Sequence, residues 1–175
     1  MESILDKILT QKHGQEIRAF DPCGMVNNLL RQITEREQEV VRRRFGFGDS
    51  EQGETLEEIG ARLEVTRERV RQITKSSLHH LSEIGDQDDE LQRFLRVTEQ
   101  LLGSYAGALS DEYFIEEILN FSGISTGSTA RQRAERCLRF LLDEVLGEHI
   151  IHRPSDTVLK QVYSLPTANL DLLKK

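Results

Sequence analysis

The side chains best suited to bind a ligand lie in one short stretch, TRERVRQITK, which spans residues 66–75. It carries guanidinium, carboxylate, amide and ammonium groups on Arg67, Glu68, Arg69, Arg71, Gln72 and Lys75. Between Thr66 and His80, four basic side chains stand against a single acid, so the stretch is locally positive. Basic side chains bind phosphate, and the first turn of a helix also attracts phosphate because its N–H groups lack partners. The stretch therefore predicts a contact with nucleic acid.

The preceding sequence predicts the helices that would position this stretch. Thr34-x-x-Glu37 and Thr55-x-x-Glu58 are capping boxes, in which each side chain bonds the other residue's free backbone N–H at the start of a helix. Gly46 follows the first of these helices where a left-handed C-cap is expected. Glu64-Val65 is predicted to form a tight turn, after which Thr66 caps a third helix that runs to about Ile84. Two helices joined by a tight turn form a helix-turn-helix.

Apolar and polar positions separate on the third predicted helix. Its apolar residues and one serine fall within about 80° of one another when successive residues are placed about 100° apart: Val70, Ile73, Ser77, Leu81 and Ile84. Glu68, Gln72 and Lys75 point away from that face. Arg67 and Arg71 lie on one flank and Arg69 on the other. The pattern predicts a buried apolar face and an exposed face that carries the candidate ligand-binding groups.

The charge of the whole chain limits how it could bind nucleic acid. The 175 residues carry a net charge of −7, with 13 basic and 15 acidic side chains in residues 1–85 and 10 and 15 in residues 86–175. Proteins that coat nucleic acid without selectivity are usually basic, so binding would have to use the local basic surface. No apolar run approaches transmembrane length, and the N-terminus lacks a secretory pattern. Cys23 and Cys137 are far apart in sequence, which argues against a disulfide scaffold or a thiolate metal site and favours a reducing cytoplasm.

Residues 33–73 closely resemble region 4 of the sigma-70 family of transcription initiation factors. The matching motifs are TEREQEVVRRRFG (34–46), TLEEIGARLEV (55–65) and TRERVRQI (66–73), in the family's order and spacing. The resemblance implies that the helix starting after Thr66 enters the major groove of a promoter −35 element. It also implies docking on the flap of the RNA polymerase β subunit.

Site roles follow from the same resemblance. Arg67, Glu68 and Gln72 would read bases, while Arg69 and Arg71 would mainly hold phosphates. These roles suit the groups, since Arg pairs with guanine, Glu accepts from cytosine N4 and Gln can serve adenine. Thr66, as the cap, and Lys75 complete the expected DNA-binding set. After Ile73 the sequence is less basic than is usual in the family. The 33 residues before the match, counted to Thr34, leave no room for the family's promoter-melting region, so we expect a stand-alone region 4 protein.

The second half predicts another small domain. Helices are expected over Leu91–Leu102, from Ser110 onward and from about Thr129 to Leu146, followed by two short strands within residues 149–163. Three helices and a β-hairpin are similar to the winged-helix, HARE-type domain of the RNA polymerase delta subunit. The predicted fold is therefore mainly α, with a helix-turn-helix domain at residues 1–85, an acidic linker at 86–90 and a winged-helix-like domain at 91–175.

Other candidate groups favour structural interpretations. Arg42-Arg43-Arg44, and the set Arg133, Arg136 and Arg139, are expected to be solvated helix faces. His79 and His80 diverge around a helix and are not expected to bind a metal. Cys137 lies on an apolar face and is predicted to be a small core residue. No phosphate loop or nucleophile motif is visible, so we expect neither an enzyme nor a cofactor.

The leading hypothesis is a DNA-binding transcription regulator that recognises promoter-like DNA, RNA polymerase, or both. One alternative is an adaptor that binds the polymerase β flap and has little affinity for DNA. Another is the DNA-targeting subunit of an enzyme complex, which would need a catalytic partner. Five points stay open: the target sequence, the choice between activation and repression, the oligomeric state, the partner of the C-terminal domain, and whether the chain is part of a larger protein.

Overall fold

The computed structural model describes residues 20–47, 52–122, 129–155 and 161–168. Within these ranges the chain forms α-helices α1 (Pro22–Leu30), α2 (Glu35–Phe45), α3 (Leu56–Arg62), α4 (Arg67–Gly85), α5 (Asp89–Ser104), α6 (Asp111–Phe121) and α7 (Thr129–Phe140). A π-helical turn (Leu141–Val145) continues α7, and three strands are present: β1 (Ala108–Ser110), β2 (Ile151–Arg153) and β3 (Val162–Ser164). The sequence also predicts a short helix near Ser3–Leu9, which lies outside the described residues.

The capping signals predicted at the ends of α2 and α3 are confirmed, and Asp21 supplies a further cap at the start of α1. The Asp21 carboxylate accepts a hydrogen bond from the Cys23 N–H at 3.0 Å and caps α1. Both capping boxes form, at Thr34/Glu37 for α2 and at Thr55/Glu58 for α3. Gly46 ends α2 with a φ of 69°, in the left-handed region that glycine adopts without steric cost. These short-range bonds set where the helices of the N-terminal half begin and end.

Helices α3 and α4 form the predicted helix-turn-helix. The apolar face of α4 packs on α2 and α3 in a small cluster of Val40, Ile59, Val70 and Ile73. Farther along α4, Ser77 and Leu81 are buried and Ile84 is partly buried, as the helical spacing predicts. This packing fixes one side of α4 and leaves the other side toward solvent.

The C-terminal half has the winged-helix order of elements. Helices α5, α6 and α7 are joined by a small antiparallel sheet in which β3 lies between β1 and β2. The two strands expected near the C-terminus are present, and β1 is an additional strand that the sequence analysis did not predict. The predicted third helix is shorter than expected, because α7 ends at Phe140 and residues 141–145 form the π-helical turn. Ser110 occupies the N-cap position of α6, but its side chain makes no capping bond.

The two halves share one hydrophobic cluster. It includes Met25 and Leu29 of α1, Leu81 of α4, and Phe94 and Leu138 of the C-terminal half. The acidic stretch 86–90 is a short junction, in which Asp88 caps α5 through the N–H groups of Glu90 and Leu91. The division into two domains stays a prediction, because both halves contribute residues to this shared core. No helix in the described ranges is long and apolar enough to cross a lipid bilayer.

Candidate nucleic-acid interface

The N-terminal half of α4 projects its polar face into solvent. Every predicted DNA-binding residue is exposed: Thr66, Arg67, Glu68, Arg69, Arg71, Gln72 and Lys75. The Thr66 hydroxyl accepts a hydrogen bond from the Arg69 N–H at 3.1 Å and caps the helix as predicted. The structure therefore gathers the whole set on one accessible surface, here called the α4 face. Among the residues that the structure describes, none of the C-terminal half covers these side chains.

A tight turn sets the angle at which α4 leaves α3. Glu64 has a φ of 53°, in the left-handed region. The Val65 N–H donates to the Gly60 carbonyl at 2.9 Å, which closes the turn on α3. A Cβ at Gly60 would lie 2.8 Å from the Val65 carbonyl oxygen, so the turn can pack on α3 only because residue 60 has no side chain.

The C-terminal half of α4 is held by the winged-helix half of the chain. Leu81 is fully buried, and the Ser82 hydroxyl donates to the Val145 carbonyl at 3.0 Å. Gly85 lies so close to Val145 that an added Cβ would be 2.8 Å from its Cγ1. The C-terminal half of the chain thus holds one end of α4, and the α4 face lies on the exposed side of the opposite end, whose inner side packs on α2 and α3.

Ion pairs organise the α4 face. The Arg71 guanidinium donates to both carboxylate oxygens of Glu68, at 2.8 and 2.7 Å. The Gln72 amide donates to the same carboxylate at 3.3 Å. Hydrogen bonding from Arg71 is the main reason that the pKa of Glu68 falls to about 2, so Glu68 is ionised at neutral pH. In the protein without a ligand, one hydrogen-bonded cluster therefore contains Glu68, Arg71 and Gln72.

Arg67 pairs with a carboxylate of the neighbouring helix. Its Nε atom lies 2.9 Å from Oε1 of Glu57 in α3, and both side chains are well exposed. Exposed pairs of this kind contribute only about 0–1 kcal/mol, so a phosphate or base can displace Glu57 at small cost. Lys75 and Arg69 have no carboxylate partner within the described part of the chain. The α4 face can therefore present free or readily freed cations to a polyanion.

The arginine triplet of α2 has partners within the protein. Arg42 donates twice to the Asn27 side chain, and Arg43 bridges Glu39 and Glu54. Arg44 donates to the Glu54 carbonyl at 3.1 Å. These bonds join α2 to α1 and to the segment before α3. The triplet is therefore more structural than the solvated flank that the sequence predicts.

A polar cluster inside the winged-helix half was missed by the sequence analysis. The Arg139 guanidinium donates to both oxygens of Asp111, at 2.6 and 2.9 Å, so Arg139 is not part of a solvated face. His152 lies between Asp111 and Asp143, and the Tyr163 hydroxyl donates to Asp143 at 2.9 Å. Burial and the Asp143 charge raise the pKa of Tyr163. No local motif marks this cluster, because its members come from five separate elements.

The adjacent histidines His79 and His80 lie on the surface of α4. His79 lies 3.7 Å from Glu83, and His80 is also exposed. Within the residues that the structure describes, no group of three or more His, Cys, Asp or Glu side chains could hold a metal ion.

Comparison with known proteins gives one match to a protein family. Residues 29–83 match the family model described as "Sigma-70, region 4". The same part of the chain is 54% identical over 61 residues to RNA polymerase sigma factor RpoD of Helicobacter pylori, which covers 35% of this chain and 9% of that protein.

Two further relatives give similar matches. Sigma factor SigA4 of Synechococcus elongatus is 47% identical over 62 residues, covering 35% of this chain and 20% of that protein. Sigma factor RpoS of Coxiella burnetii is 41% identical over 74 residues, covering 37% and 21%. The chain thus spans about a tenth to a fifth of the length of these relatives. Residues 29–83, which contain the helix-turn-helix, match the sigma-70 region 4 family in sequence.

Proposed function

We propose that this chain is a non-enzymatic transcription regulator that binds promoter-like double-stranded DNA through the α4 face. The observation that carries the proposal is the exposure of the whole predicted set on the outer side of a helix whose inner side is packed on α2 and α3. A helix presented in this way can enter the major groove with its first turns against base edges. The winged-helix half would supply a second contact with the transcription machinery.

The roles of individual side chains are carried over from the resemblance to region 4, and the chemistry of the groups suits them. Arg67, Glu68 and Gln72 are proposed to read base edges, because their groups match guanine, cytosine and adenine in the major groove. Arg69, Arg71 and Lys75 would hold phosphates, beside the N–H groups of the turn that Thr66 caps. The Glu68–Arg71 pair orients both side chains before DNA arrives, which reduces the conformational freedom lost on binding.

Two substitutions separate base reading from phosphate binding. We expect Glu68→Ala to change which base pair is preferred at one position, because a good contact discriminates by about 1–3 kcal/mol. We expect Arg71→Ala to weaken binding to all sequences and to reduce the salt dependence by about one phosphate contact. The measurement is binding of the full chain to a pool of randomised duplexes at several salt concentrations.

Exposed residues elsewhere provide matched controls. Glu83→Ala removes the same charge from the far end of α4, and Arg96→Ala removes an arginine from the exposed side of α5. Both controls should leave binding unchanged. Uniform loss of binding on every duplex for both Glu68→Ala and Arg71→Ala would show that the assigned roles are wrong.

A second candidate function is an adaptor that binds RNA polymerase, at the β flap, and has little affinity for DNA. The net charge of −7 favours it, as does the pairing of Arg67 and Arg71 with carboxylates on the α4 face. A pull-down with the β flap beside a gel shift on a −35-like duplex separates the two functions. Capture by the flap without a shifted duplex would support the adaptor, and a shifted duplex without capture would support the DNA-binding regulator.

A further inference from the structure

Folding brings the two cysteines of this chain together. Cys23 lies in α1 and Cys137 in α7, 114 residues apart in sequence, and they are the only cysteines in the 175 residues. Their sulfur atoms lie 2.9 Å apart, and both residues are free thiols. Their separation in the sequence predicted neither a disulfide nor a shared site, because nothing local connects them. The pair lies in the interface between the N-terminal helix and the winged-helix half.

The surroundings distinguish the two thiols. Cys137 is buried, whereas Cys23 is only half-buried. The pKa of Cys23 is lowered, mainly by hydrogen bonding with Cys137 and also by the positive charges of Arg133 and Arg136. The same hydrogen bond, together with burial, raises the pKa of Cys137. Cys23 is thus the more accessible and more readily ionised member of the pair.

We propose that Cys23 and Cys137 form a reversible intramolecular disulfide when the protein meets a peroxide. The Cys23 thiolate attacks one peroxide oxygen, the O–O bond breaks, and Cys23 becomes a sulfenic acid while the released hydroxide takes up a proton as water. The Cys137 sulfur then attacks Cys23 Sγ, the S–O bond breaks, and a second water leaves with the Cys137 proton. In total, two thiols and one hydrogen peroxide give one disulfide and two waters. A dithiol reductant reverses the reaction by thiol–disulfide exchange.

The disulfide would close a loop that contains the complete helix-turn-helix. The bond joins α1 to α7, so residues 24–136, including α2 to α6, lie between the linked positions. A crosslink across such a long loop restricts the unfolded chain strongly, and it stabilises the fold where native geometry permits it. Oxidation should therefore raise the melting temperature of the protein. The proposal concerns the cysteine pair alone and does not depend on DNA binding.

The test uses the full chain, reduced and then treated with one equivalent of hydrogen peroxide. We expect the intact mass to fall by about 2 Da, the mass of the two hydrogens lost when a dithiol becomes a disulfide. We also expect both thiols to become unreactive, a non-reduced digest to contain one peptide pair that links residues 23 and 137, and dithiothreitol to restore the starting mass. The melting temperature of the oxidised protein should exceed that of the reduced protein.

Cys23→Ser and Cys137→Ser are the matched controls. Each variant retains one thiol, so peroxide should neither lower its mass nor raise its melting temperature. If Cys137→Ser fails to fold, Cys23→Ser and the peptide map of the unmodified chain still decide the question. Three outcomes would each overturn the proposal. They are two reactive thiols after treatment, addition of oxygen atoms to the unmodified chain, and linkage only between two copies of the chain.

Discussion

Replacing Phe140 with alanine tests how strongly the two halves of the chain are coupled. Phe140 ends α7 and is 3% exposed. Its ring contacts those of Phe45 and Phe47 edge-on, with centroids 4.8 and 5.1 Å away. Phe45 ends α2, immediately before the cap at Gly46. The substitution therefore removes a side chain that joins the C-terminal half directly to the helix-turn-helix half.

The expected loss of stability follows from burial and from the two ring pairs. Phe→Ala substitutions in a core cost about 3–5 kcal/mol, and edge-to-face pairs contribute about 0.5–1.5 kcal/mol beyond burial. Two such pairs place Phe140→Ala in the upper part of that range, at about 4–5 kcal/mol. A domain of this kind has a total stability of about 5–15 kcal/mol, so the variant should be close to unfolding. Phe140→Leu retains most of the volume and should cost less, about 1–2 kcal/mol.

Urea unfolding followed by two probes measures this effect. All three tyrosines, Tyr105, Tyr113 and Tyr163, lie in the C-terminal half, and the chain has no tryptophan. Tyrosine fluorescence therefore reports that half, whereas far-UV circular dichroism reports helices throughout the chain. If the shared core makes one cooperative unit, both probes give the same midpoint and both shift together in Phe140→Ala. A loss below about 1.5 kcal/mol, or separate transitions of which only the tyrosine one shifts, would refute this reasoning.

Three further predictions concern local contacts. Asp111→Asn should cost about 2–3 kcal/mol in urea unfolding, because it removes the carboxylate that accepts two hydrogen bonds from the half-buried Arg139 and leaves that guanidinium with Glu135 alone. A cost below about 0.5 kcal/mol would mean that the Asp111–Arg139 pair adds little. Glu64→Gly should raise the free energy of unfolding by up to about 1 kcal/mol, because glycine adopts the positive φ of 53° without strain. Glu64→Ala should give no gain, and equal effects of the two substitutions would contradict this cause. The carboxyl of Glu68 should titrate near pH 2 by NMR and move toward its ordinary value of 4.5 in Arg71→Ala. Because folding lowers this pKa, the stabilising contribution of Glu68 is complete above about pH 4.5 and is lost as the pH falls toward 2. An unchanged titration of Glu68 in Arg71→Ala would exclude Arg71 as the cause of the lowered pKa.

The features that were predictable from sequence are those that depend on neighbours within a few residues. The capping boxes at Thr34 and Thr55, the left-handed Gly46 and the cap at Thr66 each involve groups no more than about one helical turn apart. The exposed face of α4 follows from the period of the helix in the same way. The roles of individual side chains on the α4 face stay predictions.

Contacts between distant parts of the chain were not predictable in this way. Strand β1 has only three residues, and it exists because its partner β3 lies beside it. The π-helical turn follows α7 where the chain packs against α4 at Ser82 and Gly85. Neither feature has a composition of its own that would mark it in the sequence.

The sequence by itself determined where α2, α3 and α4 begin and which side of α4 is polar, because hydrogen bonds and side-chain spacing within one turn decide these properties. Only the tertiary structure decided that Arg139 pairs with Asp111, that Phe140 packs on Phe45, and that Cys23 meets Cys137. These partners are 28, 95 and 114 residues apart, the middle value being the difference between 140 and 45. A contact over such a distance forms only when the whole core closes around it, so no local pattern of residue types encodes it.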